Sequence, residues 1–207
     1  MSQLQELLQL KQAELEQELQ ESQARLARVA ARLKRIEYEK HPLPYEITVK
    51  SVAAVGVVSF RQIVPYMHEM GDYCEQMYRT LYHQVAEAGL TSPGPEITMY
   101  HNEEYTEQNL DVEVALPLEP LDYARAATFP TLITRNLLAE ESMACLIYEG
   151  SFQGLELAVL ALLTWVGLNQ ATMTGPVREL HLSGPAHEEG QETSSFILEL
   201  QLPISPK

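Results

Sequence analysis

Two alternating stretches near the C-terminus constrain this chain most, because an earlier part of the sequence repeats their order. Gly175-Pro176-Val177-Arg178-Glu179-Leu180-His181-Leu182 and Phe196-Ile197-Leu198-Glu199-Leu200-Gln201-Leu202-Pro203-Ile204 both alternate apolar with polar side chains, as half-buried strands do. Gly94-Pro95-Glu96-Ile97-Thr98-Met99-Tyr100-His101, followed by Asp111-Val112-Glu113-Val114-Ala115-Leu116-Pro117-Leu118, follows the same plan. Placing Pro95 on Pro176 makes Thr98 equivalent to Glu179 and Tyr100 to His181, and placing Pro117 on Pro203 makes Glu113 equivalent to Glu199. If Leu180 and Leu182 face a core, period two sends Glu179 and His181 to the opposite side. All six polar residues are therefore expected on the face turned away from the core, with Arg178 on the core side.

The duplication extends upstream. Tyr45 to Phe60 reads as strand with a kink at Ala53-Ala54, and Leu132 to Ala139 echoes Ile47 to Ala54 before Ser142 to Tyr148 resumes the strand. A helix is predicted from Pro65 or Tyr66 through Ala88, stopped by Gly89, with Met70, Tyr73, Cys74, Met77, Leu81 and Val85 facing inward. A second runs from about Gln153 to Asn169, with Leu155, Val159, Leu162, Leu163 and Val166 inward. Residues 119–130 read as a connection. Two tandem β-α-β-β units, about 45–118 and 131–204, predict an α+β fold with pseudo-twofold symmetry and both helices on one side.

Residues 1–40 precede this domain, which spans 41–207, and contain neither Gly nor Pro. Leu8, Leu15, Ser22, Val29 and Ile36 recur every seven residues, and Leu19, Leu26 and Leu33 fall four residues after members of that series, so the two series form one a/d seam, weak at Gln12 and at Ser22. Such a stripe predicts a long helix paired with a second copy in a two-stranded coiled coil, parallel or antiparallel, hence a homodimer. His41-Pro42-Leu43-Pro44 ends it.

The formal charge of −15 lies wholly in the later part: residues 1–40 hold seven basic and seven acidic side chains, the remainder seven and twenty-two. That surface repels phosphate, so direct DNA binding by this chain alone is not expected, whereas cations are attracted. Cys74 and Cys145 have no partner at metal or redox spacing, which points to a reducing cytoplasm and to no metal. No apolar run reaches bilayer length, so no membrane partner is expected. Signatures of a nucleophilic serine, a zinc protease, a phosphate loop or a dinucleotide fold are absent, and no cofactor is expected.

Curled about the pseudo-axis, the polar face becomes a concave surface lined by Thr98, Tyr100, Glu113, Glu179, His181 and Glu199. A carboxylate held there short of water gains free energy from a ligand cation, which aromatic ring faces also bind. Glu179 is the leading candidate, with Tyr100, Tyr105, Tyr148, Phe152 and Trp165 as candidate walls. An alternative chemistry uses Glu179 as general base and Tyr148 as proton donor in a small-molecule hydrolase. A third reading is an interaction or inhibitor protein working through the coil and the acidic surface.

Tyr148-Glu149-Gly150-Ser151-Phe152, Trp165, Gly175-Pro176-Val177-Arg178-Glu179-Leu180 and Asp111-Val112-Glu113-Val114-Ala115-Leu116-Pro117 resemble the GyrI-like effector-binding domain over about Tyr45 to Ile204. The leading helix resembles the dimerisation helix of MerR-type multidrug-responsive regulators, without their winged helix-turn-helix. The resemblance implies a pocket between the halves for bulky, often cationic and aromatic compounds, with Glu179 on its floor and Tyr148 and Trp165 as walls. It also implies that some relatives are hydrolases and others gyrase inhibitors. His181 stands where the family commonly has tyrosine.

Overall fold

A computed structural model describes residues 45–102, 106–183 and 196–205, with three isolated positions before them. The chain divides into two compact units, Met1–Pro44 and Tyr45–Lys207. The expected coiled-coil helix, like Tyr105, lies outside the described residues.

The second unit runs β1 (Ile47–Val52), β2 (Val55–Tyr66), a 3-10 turn, α1 (Met70–Glu87), β3 (Ile97–Tyr100) and β4 (Gln108–Pro117). It continues with α2 (Pro120–Ala126), β5 (Ile133–Leu137), β6 (Glu140–Gly150), α3 (Phe152–Leu168), β7 (Thr172–Met173), β8 (Val177–His181) and β9 (Phe196–Ser205). The strands form one antiparallel path, β1-β6-β9-β8-β3-β4-β2-β5, with β7 added beside β9. Gly89 ends α1 at φ +63°, the left-handed conformation a glycine enters without steric cost.

The kink at Ala53-Ala54 is a complete break. β1 pairs with β6, while β2 pairs with β4 and β5. In a flat sheet β1 and β2 would lie six strand spacings apart, about 29 Å, yet the two-residue link between them spans at most about 11 Å. Leu138-Ala139, joining β5 to β6, imposes the same condition at the other edge. The sheet must therefore curl into a half-barrel, an α+β fold dominated by its sheet.

All three helices lie on one face. Tyr78, Leu81 and Val85 of α1 and Tyr123 of α2 pack with Val58, Val114 and Leu116, and the ring of Phe152 of α3 packs at a tilt on that of Phe196 of β9, centroids 4.3 Å apart. Residues on the helix-distal face, including Val57, Met99 and Ala115, are nonetheless fully buried, clustered with Leu137 and Leu180 from strands far apart in the sheet order. The curl itself covers this inner face. On α3 the buried positions are Leu155, Ala158, Ala161, Leu162 and Val166. Leu163, expected inward, is 37% exposed, because small alanines let the helix backbone approach the sheet instead.

Candidate functional site

β3 and β8 meet at the middle of the sheet, with Thr98 directly across from Glu179 and Tyr100 from Val177. Period two then places Thr98, Tyr100, Glu179 and His181 together on one face. That face is the one the helices cover, which corrects the expectation that these residues point away from the core. Alternation reveals which residues share a face but not which face is covered, and here both are.

The contact from α1 fixes the assignment. The Tyr78 hydroxyl lies 2.9 Å from Thr98 Oγ1, which in turn lies 3.3 Å from His181 Nε2. The Tyr78 and His181 rings meet edge to face at 6.4 Å. Glu179 Oε2 sits 4.0 Å from His181 Nε2, and the Tyr100 hydroxyl donates to the Glu179 carboxylate. Tyr73 and Cys74 of α1 pack with Tyr100 on the same side.

Burial controls the electrostatics. Glu179, 4% exposed, is pushed from the ordinary 4.5 up to about 7 because its charged form loses water, a rise that the Tyr100 donor opposes only in part. Burial drives His181 down to about 4, so its ring is neutral at pH 7 and offers Glu179 no counter-charge. Tyr78 and Tyr100 are raised well above the usual phenol range, again by burial first. Cys74 is pushed up to about 12 by burial and then by the charge of Glu179. The result is a carboxyl group poised near neutrality, held by a phenol donor and ringed by aromatic groups.

The other expected site residues fall elsewhere. Glu113 lies across from Met99 and Glu199 across from Leu180, so both occupy the inner face. Glu113 is held by His101 Nε2 at 2.7 Å and by Arg135, and Lys50 Nζ lies 2.5 Å from Glu199 Oε1. Tyr148 shares the helix-covered face, but it lies two strand spacings from His181, across Leu198 of β9, or about 10 Å. Its hydroxyl donates to the Ser151 carbonyl at 2.6 Å, and its ring packs on Phe196 and Tyr45. Phe152 is 40% exposed, and Trp165 is half-buried on α3. Tyr148 is thus committed to the start of α3 rather than aimed at Glu179.

Sequence reasoning missed Tyr78. The signal was present, since Tyr78 falls four residues after Cys74 and three before Leu81 on the stripe already expected to be buried. Among the described residues no group of His, Cys, Asp or Glu could hold a metal ion, and no helix is long and apolar enough to cross a membrane.

The family model described as the GyrI-like small molecule binding domain matches residues 45–205. The crystal structure of the EcmrR C-terminal domain is similar at TM-score 0.66 and 25% identity, covering 80% of this chain and 100% of that one. EcmrR in a cryo-EM complex with DNA gives TM-score 0.68 at 24% identity, over 100% of this chain and 78% of that one. An uncharacterized conserved protein from Listeria innocua gives 0.51 at 12% identity, over 83% and 98%. No curated protein matches the sequence.

Proposed function

Because the chain belongs to the GyrI-like family of small-molecule binding domains, we propose that it is the effector-sensing module of a MerR-type transcription regulator, capturing lipophilic aromatic cations against Glu179. In this reading Thr98, Tyr100 and His181 form the floor of the site with Glu179, and Tyr78 closes it from α1. Tyr148, Phe152 and Trp165 lie farther out toward α3, where only a bulky ligand reaches them. The leucine-spaced segment within residues 1–40 pairs two copies, and DNA is read by something other than this acidic surface.

One observation carries the proposal. Glu179 is a buried carboxyl group that no Lys or Arg among the described residues meets within ion-pair distance, its nearest basic side chain being the neutral His181 at 4.0 Å, unlike Glu113 and Glu199, which pair with Arg135 and Lys50. An incoming cation supplies the missing counter-charge, and aromatic faces stabilise it further. Binding must then expel the proton that Glu179 holds below about pH 7.

Calorimetric titration with tetraphenylphosphonium tests this on the wild type and on Glu179→Gln, at pH 6 and pH 8. The wild type should bind about tenfold more weakly at pH 6, with proton release, because one group titrating near 7 is competed for. The variant should bind weakly and show no pH dependence. Equal affinity in both proteins at both pH values would remove Glu179 from recognition and end the cation reading.

A further inference from the structure

The inner face of the curled sheet carries a buried guanidinium that its surroundings leave half used. Arg178 is 7% exposed, yet its Nε has no hydrogen-bond partner among the described residues. Nη2, on the same edge of the guanidinium, has Glu140 Oε1 at 3.5 Å, the outer limit of a hydrogen bond. Arg61 shows what a filled edge looks like in this same protein: its Nε and Nη2 meet the two oxygens of Asp111 at 2.7 and 2.6 Å. A guanidinium stays charged even when buried, so an edge this poorly matched is a desolvated cation short of an acceptor.

We propose that the inner face holds a second binding site, in which the Nε–Nη2 edge of Arg178 takes the carboxylate of a small organic acid. The planar two-point geometry favours carboxylate, as the Arg61–Asp111 pair demonstrates. Cross-strand neighbours set the rest of the ligand. Arg178 lies across from Met99 on β3 and from Gln201 on β9, both buried, so one side of the site is apolar and the other polar. A short acid with a few carbons beyond its carboxylate matches that pair. Arg135 stands near enough for its charge to act on Arg178, adding positive potential to the site. Arg178 and Glu179 are consecutive on β8 and project to opposite faces, so this site takes an anion on the reverse of the strand that carries the acidic one.

Glu140 is the competitor, and it makes the proposal testable in two directions. The full chain is titrated with sodium acetate and sodium propionate at constant ionic strength, following the Arg178 Nε–H resonance by nitrogen-proton NMR. The wild type should show a saturable shift of that resonance, and Glu140→Gln should bind roughly tenfold more tightly, because the resident carboxylate no longer competes for the same edge. Arg178→Met should lose the saturable binding. Glu179→Gln should leave acetate binding unchanged, which separates this site from the first. The proposal is overturned if neither wild type nor Glu140→Gln moves the Nε–H resonance saturably, or if Arg178→Met binds acetate as the wild type does. Should Arg178→Met fail to fold, the Glu140→Gln titration alone decides.

Discussion

Glu179→Gln should stabilise the protein, and by an amount that depends on pH in a defined way. Glutamine keeps the size of the side chain and an oxygen to accept from Tyr100, so the change removes chiefly the ionisable proton. In the wild type, burial raises the carboxyl from 4.5 to about 7. Between those values the folded protein holds a proton that the unfolded chain releases, so stability falls as pH rises, and above 7 the whole cost is present. A rise of that size corresponds to about 3 kcal/mol. The cost is not screened away, because Glu179 is only 4% exposed. His181 works in the opposite sense. Its folded value is lowered from 6.5 to about 4, so stability is lost on acidification through that range, again by about 3 kcal/mol. In the wild type the two trends oppose each other between about pH 4.5 and 6.5, and stability should be nearly flat there. The variant loses one of them. Urea denaturation from pH 5 to pH 8, followed by circular dichroism, should show a variant within about 1 kcal/mol of wild type at pH 5 and about 3 kcal/mol more stable at pH 8. Its own stability should climb with pH where the wild type is level. A gap of the same size at both ends of the range would mean that Glu179 is not desolvated as described, and the argument for a poised acid would fail.

Three further outcomes follow from particular contacts. Tyr78→Phe removes the hydroxyl 2.9 Å from Thr98 and should cost about 1 kcal/mol, read from the urea midpoint; Thr98 keeps its second partner, His181, so a much larger loss is not expected. A Cβ at Gly154 would stand 2.4 Å from the Tyr148 hydroxyl but 3.4 Å from the next nearest atom, so Gly154→Ala should cost about 1–3 kcal/mol alone and much less on a Tyr148→Phe background, a non-additivity that a double-mutant cycle measures. Arg135→Ala leaves Glu113, 2% exposed, with His101 as its remaining partner, and should destabilise by about 1–3 kcal/mol in thermal or urea unfolding.

Much of the secondary structure was legible because it is written in short-range patterns. Alternation located β3, β4, β8 and β9, and glycine and proline marked where α1 stops and where the last strands open. What the sequence did not convey is long-range. Ala53-Ala54 looked like a kink in one strand, since nothing local distinguishes a bend from a break whose two sides join different parts of the sheet. The seven-residue α2 reads as connection in the sequence, being too short to display a helical period. Hydrophobicity favours Leu163 as an inward residue of α3, whereas the buried face, which takes in Ala158 and Ala161 instead, is set by how closely the helix backbone lies on β6 and β9. For the site, alternation correctly grouped Thr98 with Tyr100 and Glu179 with His181, and the register of β3 on β8 joins the two groups. It could not separate Glu113 and Glu199 from them, since each strand's pattern is silent about its phase relative to its neighbours.

That silence about phase bears on why Glu179 stands apart. A sheet that curls tightly enough to cover its own inner face, while helices cover the outer one, leaves its central strands with no wet side. Every ionisable residue on such a strand is then expensive, whichever way it points, and natural sequences violate this kind of rule mainly where function requires it. Glu113 and Glu199 meet the difficulty by pairing with Arg135 and Lys50, long side chains whose exposed heads reach in from the two edge strands. Glu179 and Arg178 sit on β8, where no edge strand brings a matching partner to full contact. An apolar residue at either position would serve the fold better. Two consecutive ionisable groups lie back to back on this doubly covered strand, Glu179 without a Lys or Arg partner among the described residues and Arg178 with its carboxylate only at 3.5 Å, and partners from outside the chain, as proposed above, would complete both.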